Sequence, residues 1–433
     1  MTGDMPGWEA VVFTIAFIVI VVNLVWNLWL FVWSRRYTAG GPDTSADESE
    51  FTWIFLVPAL NEEVTIADSV ERLLSVRCTK RHIVVVDDGS TDSTPQVLAG
   101  ISHPELTVIR REPPDAQLGK ADVLNDAWSR LSSALPDLDR SRTIVCVVDA
   151  DGRLSADAPS HVADWFADPE VGGAQVRVRI YNRHHPLTWA QDVEFGVYGM
   201  LYQAGRASLG TAGMGGNGQF NRLSALDDLA QRDRVSADGP WHDKLTEDQD
   251  LGLRLLEAGW RCGHDNRTQV DQQGLSNVRR LFRQRVRWAQ GNLQAMRHIR
   301  RIPHMAFSRR ARTDLFLYLM QPVMLAIVGI AVLAALVAWA LREVDFLPDH
   351  LWTIAVFYVF GFGGVILGCI RRTGTGPKAW LWGWVVAMVY AAYTWMLFPV
   401  MFGALYRMIR SRTAWAKTDR EPITESATEP SVA

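Results

Sequence analysis

Three short acidic groups recur along the chain, Asp87-Asp88-Gly89-Ser90, Asp149-Ala150-Asp151 and Thr246-Glu247-Asp248. Carboxylates can accept hydrogen bonds from a bound molecule, ligate a hard divalent cation, or take a proton. Asp87 and Asp88 are suited to the first task, accepting from a base N–H. Gly89 permits a tight turn there, and an ordinary Asp-Gly turn accounts for the same residues. Asp149 and Asp151 are suited to the second. Mg²⁺ or Mn²⁺ takes oxygen ligands from one or two carboxylates and completes its shell with water and substrate phosphates. Asp248 is suited to the third, deprotonating an alcohol. An unperturbed Asp, near pKa 3.9, is a poor base, so it serves when proton transfer is late and bond formation has already acidified the hydroxyl. Glu247 is its rival. Thr246 is expected to cap a helix that carries both acids in its first turn, which is compatible with the active role.

Cationic, aromatic and small residues complete the set. Lys120, in Gly119-Lys120-Ala121, is a compact charge for a diphosphate, or a plain surface lysine. Gln284, Arg287 and Trp288 are spaced three and four apart, so they can share one helix face. Arg suits a diphosphate and Trp the apolar face of a sugar; an interfacial helix that carries Arg and Trp is the alternative. Asn217, Gly218 and Gln219 lie in a Gly-rich stretch, Gly213 to Gly218 and beyond, which reads as a flexible turn or as backbone that a sugar can approach closely. Leu60 and Glu62 lie in Pro58-Ala59-Leu60-Asn61-Glu62-Glu63, just past an apolar run, where a polar group can meet a nucleoside or end a strand.

These groups need a scaffold, and the pattern supplies one. Phe51 to Pro58, Ile83 to Val86, Thr107 to Arg110 and Thr143 to Val148 read as buried strands. Glu63 to Leu74 and Lys120 to Leu131 have helical spacing. Alternating apolar runs and helical patterns predict an α/β domain with a mainly parallel sheet and crossover helices. Ligands bind beyond the carboxyl ends of such strands, where the first two acidic groups fall. Further on, Val176 to Ile180 reads as a strand, Pro186 to Ser208 as a helix, and Glu247 to Ala258 as a helix stopped by Gly259. No internal repeat is apparent.

Of the 433 residues, 48% are hydrophobic and 21% charged, with charge concentrated in the middle and long apolar runs on both flanks. A net charge of -3 suggests no polyanionic partner and no nucleic acid. Cys78, Cys146, Cys262 and Cys369 are scattered without a C-x-x-C pair, so neither a zinc site nor a disulfide framework is expected, and the thiols read as reduced. Ala10 to Trp33 is long enough to span a bilayer, and Arg35 and Arg36 place the domain after it in the cytoplasm. Arg279, Arg280, Arg283, Arg285 and Arg287 alternate with apolar residues, as in a helix lying on a membrane surface. Leu315 to Leu341, with a kink at Pro322, Leu351 to Ile370 and Ala379 to Tyr406 are three further apolar segments. One span before the domain and three after it put the C-terminus outside, whereas Arg407, Arg410, Arg412 and Lys417 favour an inside tail.

From roughly residue 51 to 300, the order of the three acidic groups followed by Gln284-Arg285-Val286-Arg287-Trp288 resembles the membrane-embedded, inverting family 2 glycosyltransferases, the group of cellulose, chitin and hyaluronan synthases. The resemblance implies a cytoplasmic GT-A-type domain with flanking transmembrane helices, in a multi-pass protein of the cell membrane. It divides the chain into an N-terminal transmembrane helix (1–36), a linker (37–50), a glycosyltransferase domain (51–278), basic interfacial helices (279–312), a C-terminal transmembrane region (313–410) and a polar tail (411–433). It implies a nucleotide-sugar donor, of the UDP class, with Mg²⁺ or Mn²⁺ on Asp149 and Asp151.

Residue by residue, the resemblance favours Asp248 over Glu247 as the base. It assigns base and ribose to Leu60, Glu62, Asp87 and Asp88, with Leu60 standing where an aromatic residue is frequent, and nucleotide contact to Lys120 and Asp149. It assigns acceptor or diphosphate contact to Asn217, Gly218, Gln219, Glu247, Gln284, Arg287 and Trp288. The expected product is a growing β-linked polysaccharide, made processively and exported through the bilayer with a homo-oligomer or a partner protein. Transfer of one sugar to a lipid-linked acceptor is the alternative, and a non-catalytic, membrane-tethered nucleotide-binding module is a third.

Overall fold

Residues 7–134, 137–232, 239–342, 351–374 and 376–410 are described by a computed structural model. The strands are β1 (Thr52–Ala59), β2 (Arg81–Asp87), β3 (Leu106–Arg110), β4 (Thr143–Val147), β5 (Arg153–Leu154), β6 (Val171–Ile180), β7 (Gln219–Arg222) and β8 (Arg261–Gln272). They form one sheet in the order β3-β2-β1-β4-β7-β6-β8-β5. The first four are mutually parallel, β7 runs against β4 and β6, β8 is parallel to β6, and β5 is antiparallel to β8.

Successive side chains of a strand point to opposite faces, and this sorts the sheet's apolar residues into two cores. Trp53, Phe55 and Val57 of β1, with Ile83 and Val85 of β2 and Ile144 and Cys146 of β4, enter one cluster. Ile54 and Leu56, Val84 and Val86, and Val145 and Val147 enter the other. Both faces are dry, which is why these strands read as continuous apolar runs.

The chain opens with α1 (Gly7–Ser34), and the helices of the sheet domain are α2 (Ile66–Leu74), α3 (Thr94–Ala99), α4 (Lys120–Ala134), α5 (Ala158–Phe166), α6 (Pro186–Val197), α7 (Ala204–Ala207), α8 (Leu223–Arg232) and α9 (Glu247–Glu257). α2 and α5 cover the first face of the sheet, and α4, α8 and α9 the second. After these come α10 (Val278–Ala295), a 3-10 stretch (Met296–His304), α11 (Arg309–Arg342), α12 (Leu351–Thr373), α13 (Pro377–Thr394) and α14 (Leu397–Ile409).

Several sequence expectations change here. Pro186 to Ser208 is helical as far as Ala207, with a π-helical stretch, Tyr198–Gln203, between α6 and α7. The segment read from Ala379 to Tyr406 is two helices, broken at Trp395 and Met396. Pro399 accounts for the break, since its ring opposes the carbonyl four residues earlier, that of Trp395. α11, by contrast, runs through Pro322 as one helix. α2 begins at Ile66 rather than Glu63, after a turn in which the Thr65 and Ile66 amides donate to the Glu62 carbonyl.

Val11–Ser34, Arg309–Leu341 and Pro377–Ile409 are long and apolar enough to cross a membrane. Their exposed side chains include Val25, Leu333, Leu381 and Val389. α10 lays its apolar face on these helices: Val286, Ala289 and Leu293 cluster with Val400, Met401 and Ala404 of α14. The expected polar tail, 411–433, with Arg412 and Lys417, lies outside the described residues.

Candidate active site

A cleft of about 470 Å³ opens at the carboxyl ends of β1, β2 and β4 and is closed on its far side by α6, α9, α10 and α11. Its size is that of a small-molecule site. Leu60, Glu62, Asp88, Lys120, Asp149, Asp151 and Asn217 line it, and so do Glu247, Asp248, Gln284, Arg287 and Trp288. Twelve residues scattered over more than half of the chain thus share one cavity.

Asp87, Gly218 and Gln219 are not in the lining. Asp87 is buried below it, accepting from the Ser90 amide at 2.9 Å and from Arg110 Nη1 at 2.5 Å. It shapes the loop that presents Asp88. Gly218 has a φ of +72°, and a Cβ there would lie 2.7 Å from both Val176 and Val270. Gln219 opens β7 as a fully buried strand residue. The Gly-rich stretch is therefore a turn that feeds a core strand, and of its three candidates Asn217 alone faces the cleft. Asn217 Oδ1 accepts from the Asp149 amide at 3.2 Å.

The loops at the strand ends are tied together. The Asn61 amide donates to Ser90 Oγ at 2.9 Å and the Glu62 amide to Thr94 Oγ1 at 2.8 Å. Asp88 pairs with Arg111 at 2.7 Å. Burial nevertheless pushes the Asp88 carboxyl up, only partly offset by the Gln117 amide and by Arg111. Asp149 follows β4 and meets Lys120 Nζ at 2.6 Å. Asp151 is buried and accepts from the Gln273 amide at 3.2 Å. Gly152 closes the turn between them, its amide 2.7 Å from the Asp149 carbonyl. A Cβ on Gly152 would sit 2.7 Å from Asn217 Oδ1, so the turn needs glycine.

Lys120 is the electrostatic hub. It also lies 3.2 Å from the Gly216 carbonyl and 3.6 Å from Glu247. Burial alone would lower its pKa, but Asp149, Glu247 and Asp248 outweigh that and hold the ammonium above its ordinary value. The opposite happens at Asp248. Burial and the neighbouring Glu247 push its carboxyl up to about 7, against the pull of Lys120. Asp248 Oδ1 accepts from the Gln249 amide at 2.8 Å. Thr246 does not cap α9 with its hydroxyl, as the sequence had suggested; the hydroxyl goes to Gln249 Oε1 at 3.2 Å instead.

Helix α9 is held from behind. Asp250 binds Arg254 at 2.9 Å and His298 at 3.1 Å, and also pairs with Arg297. Burial works against the ionised form of Asp250, but His298, Arg254 and Arg297 hold it well below the usual carboxylate range. In front, α10 comes close because Gly291 faces Thr246; a Cβ there would overlap the Thr246 hydroxyl. Arg287 Nη1 donates to the Leu245 carbonyl at 3.3 Å. Gln249 Nε2 donates to the Tyr318 hydroxyl of α11 at 2.7 Å.

Sequence reading missed part of the wall. Glu194, Phe195 and Tyr198, Gln272 of β8 and Tyr318 all line the cleft. No motif marks them. Arg285, read as one of a surface basic series, is buried: it pairs with Glu194 at 2.5 Å and lies 4.1 Å over the Trp288 ring. A charged residue at a helix position between apolar neighbours was the available signal.

Among the described residues no group of three or more His, Cys, Asp or Glu side chains could hold a metal ion. The two carboxylates of Asp149 and Asp151 fit the smaller requirement of Mg²⁺ or Mn²⁺, whose other ligands come from phosphate and water.

Residues 144–409 match the family model described as glycosyl transferase family group 2, and residues 54–228 that of glycosyl transferase family 2. The beta-monoglucosyldiacylglycerol synthase of Synechocystis sp. is 28% identical over 456 aligned residues, covering 97% of this chain and 90% of that protein. The poly-beta-1,6-N-acetyl-D-glucosamine synthase of Staphylococcus aureus is 28% identical over 259 residues, 59% of this chain and 58% of that protein. A mannosyltransferase from Pyrobaculum calidifontis, solved in complex with GDP-Man and Mn²⁺, is similar at a TM-score of 0.60 and 18% identity, covering 93% of this chain and 99% of that one. The last likeness is one of fold.

Proposed function

Since the chain belongs to glycosyl transferase family group 2, with a GT-A-type sheet domain, we propose that it is an inverting hexosyltransferase that extends a β-linked sugar chain from a UDP-sugar. The observation that carries this reading is the shared cleft, lined together by Asp248, Lys120, Arg287 and Trp288, with Lys120 close enough to act on the Asp248 carboxyl. In the reaction, an acceptor hydroxyl attacks the anomeric carbon. Asp248 takes its proton, the bond from that carbon to the diphosphate oxygen breaks, and the nucleoside diphosphate leaves with the electron pair. One in-line displacement converts an α-linked donor into a β-linked product, so no covalent enzyme intermediate forms.

Glu62 and Asp88 accept hydrogen bonds from the nucleoside, while Lys120 and Arg287 face the diphosphate. Asp149 and Asp151 would hold Mg²⁺ or Mn²⁺, which when bound offsets the charge building on the departing diphosphate. Trp288 carries the apolar face of the acceptor sugar. The domain faces the cytoplasm, following Arg35 and Arg36 and the location of nucleotide sugars. A second copy or a partner protein would complete any path for export.

A second reading is supported by the relative that aligns over nearly the whole chain: one sugar placed on a membrane lipid such as diacylglycerol. Product length separates the two. With labelled donor limiting, chain extension gives long products at low conversion, resolved by gel or mass spectrometry. A single added sugar at every donor ratio would rule out extension.

The raised pKa of Asp248 sets the pH profile. A base acts only when ionised, so kcat/KM should be full above about pH 7 and fall roughly tenfold per unit below it. Lys120 pulls the Asp248 pKa down. Lys120→Met removes that pull, so the acid limb of the residual activity should move to higher pH. A profile flat down to pH 5, or unmoved in Lys120→Met, would take Asp248 out of the role.

A further inference from the structure

The acids at the strand ends and in the first turn of α9 are engaged by the protein: Asp149 and Glu247 by Lys120, Asp88 by Arg111, Asp151 by the Gln273 amide and Asp248 by the Gln249 amide. Glu194 lines the same cleft from α6. Its Oε2 receives two hydrogen bonds, from Arg285 Nη2 at 2.5 Å and from the Tyr393 hydroxyl of α13 at 2.8 Å. Among the described residues its Oε1 has no hydrogen-bond partner, and the side chain remains 25% exposed within the cleft.

A carboxylate with one oxygen anchored and the other open is an acceptor whose direction is already fixed, so little rotamer entropy is lost when a donor arrives. The open oxygen belongs to an aromatic corner. Arg285, which grips Oε2, lies 4.1 Å over the Trp288 ring, and Phe195, next in sequence to Glu194, meets that ring edge-on at 6.2 Å. An aromatic surface beside a fixed, charged acceptor matches a pyranose, with its C–H face on the ring and one hydroxyl on the carboxylate. A diacylglycerol, whose one hydroxyl is the nucleophile, has no second donor to offer.

We propose that Glu194 is an acceptor-specificity residue: its Oε1 accepts a hydrogen bond from a non-reacting hydroxyl of an acceptor sugar that lies against Trp288. The assignment rests on the reading of this cleft as the site of sugar transfer, and it makes the acceptor a sugar rather than a bare lipid alcohol.

The full-length protein in detergent is given labelled UDP-glucose, UDP-N-acetylglucosamine or GDP-mannose, with octyl β-glucoside, its monodeoxy analogues or 1,2-dioctanoylglycerol as acceptor. Wild type glycosylates octyl glucoside, and one deoxy position raises the acceptor KM about 10- to 100-fold, the loss of a hydrogen bond to a charged group. Glu194→Gln raises the KM for octyl glucoside by a similar factor and removes the extra penalty of that deoxy analogue, while the donor KM stays within about threefold. Because the Gln variant leaves the buried Arg285 without a charged partner, Glu194→Asp is measured beside it. Asp keeps the charge but withdraws the carboxylate by one methylene, and the acceptor KM rises there too. If both variants raise donor and acceptor KM together, in step with lost thermal stability, Glu194 is a structural strut and the proposal falls. It falls equally if wild type leaves octyl glucoside untouched. Absence of nucleotide release from every donor would instead overturn the transferase reading itself.

Discussion

Asp248→Asn is expected to lower sugar transfer by about 10²–10⁴-fold, the contribution of a positioned general base. The substitution is nearly isosteric, and the Asn oxygen can still accept from the Gln249 amide, as Asp248 Oδ1 does at 2.8 Å. Helix α9 therefore keeps its first turn, and the Asp250 cluster behind it is untouched. Donor affinity, read by calorimetry with UDP, should stay within a few fold, so the defect appears in single-turnover transfer. Glu247→Gln is the matching control. Glu247 is buried and turned toward Lys120 at 3.6 Å, a neutralising contact, whereas Asp248 is half-buried with a carboxyl pushed up to about 7. Wild-type transfer by Asp248→Asn would falsify the assignment and return Glu247 to candidacy.

Chelation is expected to stop turnover, and Mg²⁺ or Mn²⁺ to restore it. A divalent ion beside a departing diphosphate is worth several kcal/mol, so the loss should exceed about 100-fold. Asp151→Asn tests the ligand set separately. Asn can still accept from the Gln273 amide, so the turn after β4 survives, while the charge that draws the ion is removed. Nucleotide affinity in Asp151→Asn should weaken in the presence of metal and match wild type in its absence. Chelator-treated enzyme running at the normal rate would show that Asp149 and Asp151 serve another purpose, with Lys120 carrying the diphosphate charge alone.

The parallel half of the sheet was legible in the chain because β1, β2 and β4 are covered on both faces, and double burial writes continuous apolar runs into a sequence. The mixed half was legible only at Val176 to Ile180, the end of β6. β8 runs twelve residues as Arg-Cys-Gly-His-Asp-Asn-Arg-Thr-Gln-Val-Asp-Gln, with no apolar alternation to announce it. Its interior is polar and satisfied by distant partners: Trp165 donates to Asp265 at 2.9 Å, and Asn266 to the Tyr37 carbonyl at 2.9 Å. Such pairings join residues about 100 and 229 positions apart, beyond any local pattern.

The site divides in the same way. Strand-end acids, Lys120 and the Gln284, Arg287 and Trp288 face were visible because each is tied to a local rule, a strand exit or a helix spacing. Local rules could identify the kinds of chemistry available and the order of the groups that perform it. They could not tell Asp87 from Asp88, since adjacent residues leaving a strand point to opposite sides, nor Asn217 from Gln219, since long-range packing selects which of them faces the cleft. Nor could they raise Asp248, because its pKa comes from burial and from Lys120 and Glu247, charges brought together by the sheet. Glu194 and Arg285 carry the same lesson: each is an ordinary charged helix residue until α6 and α10 meet and one closes the other's buried charge.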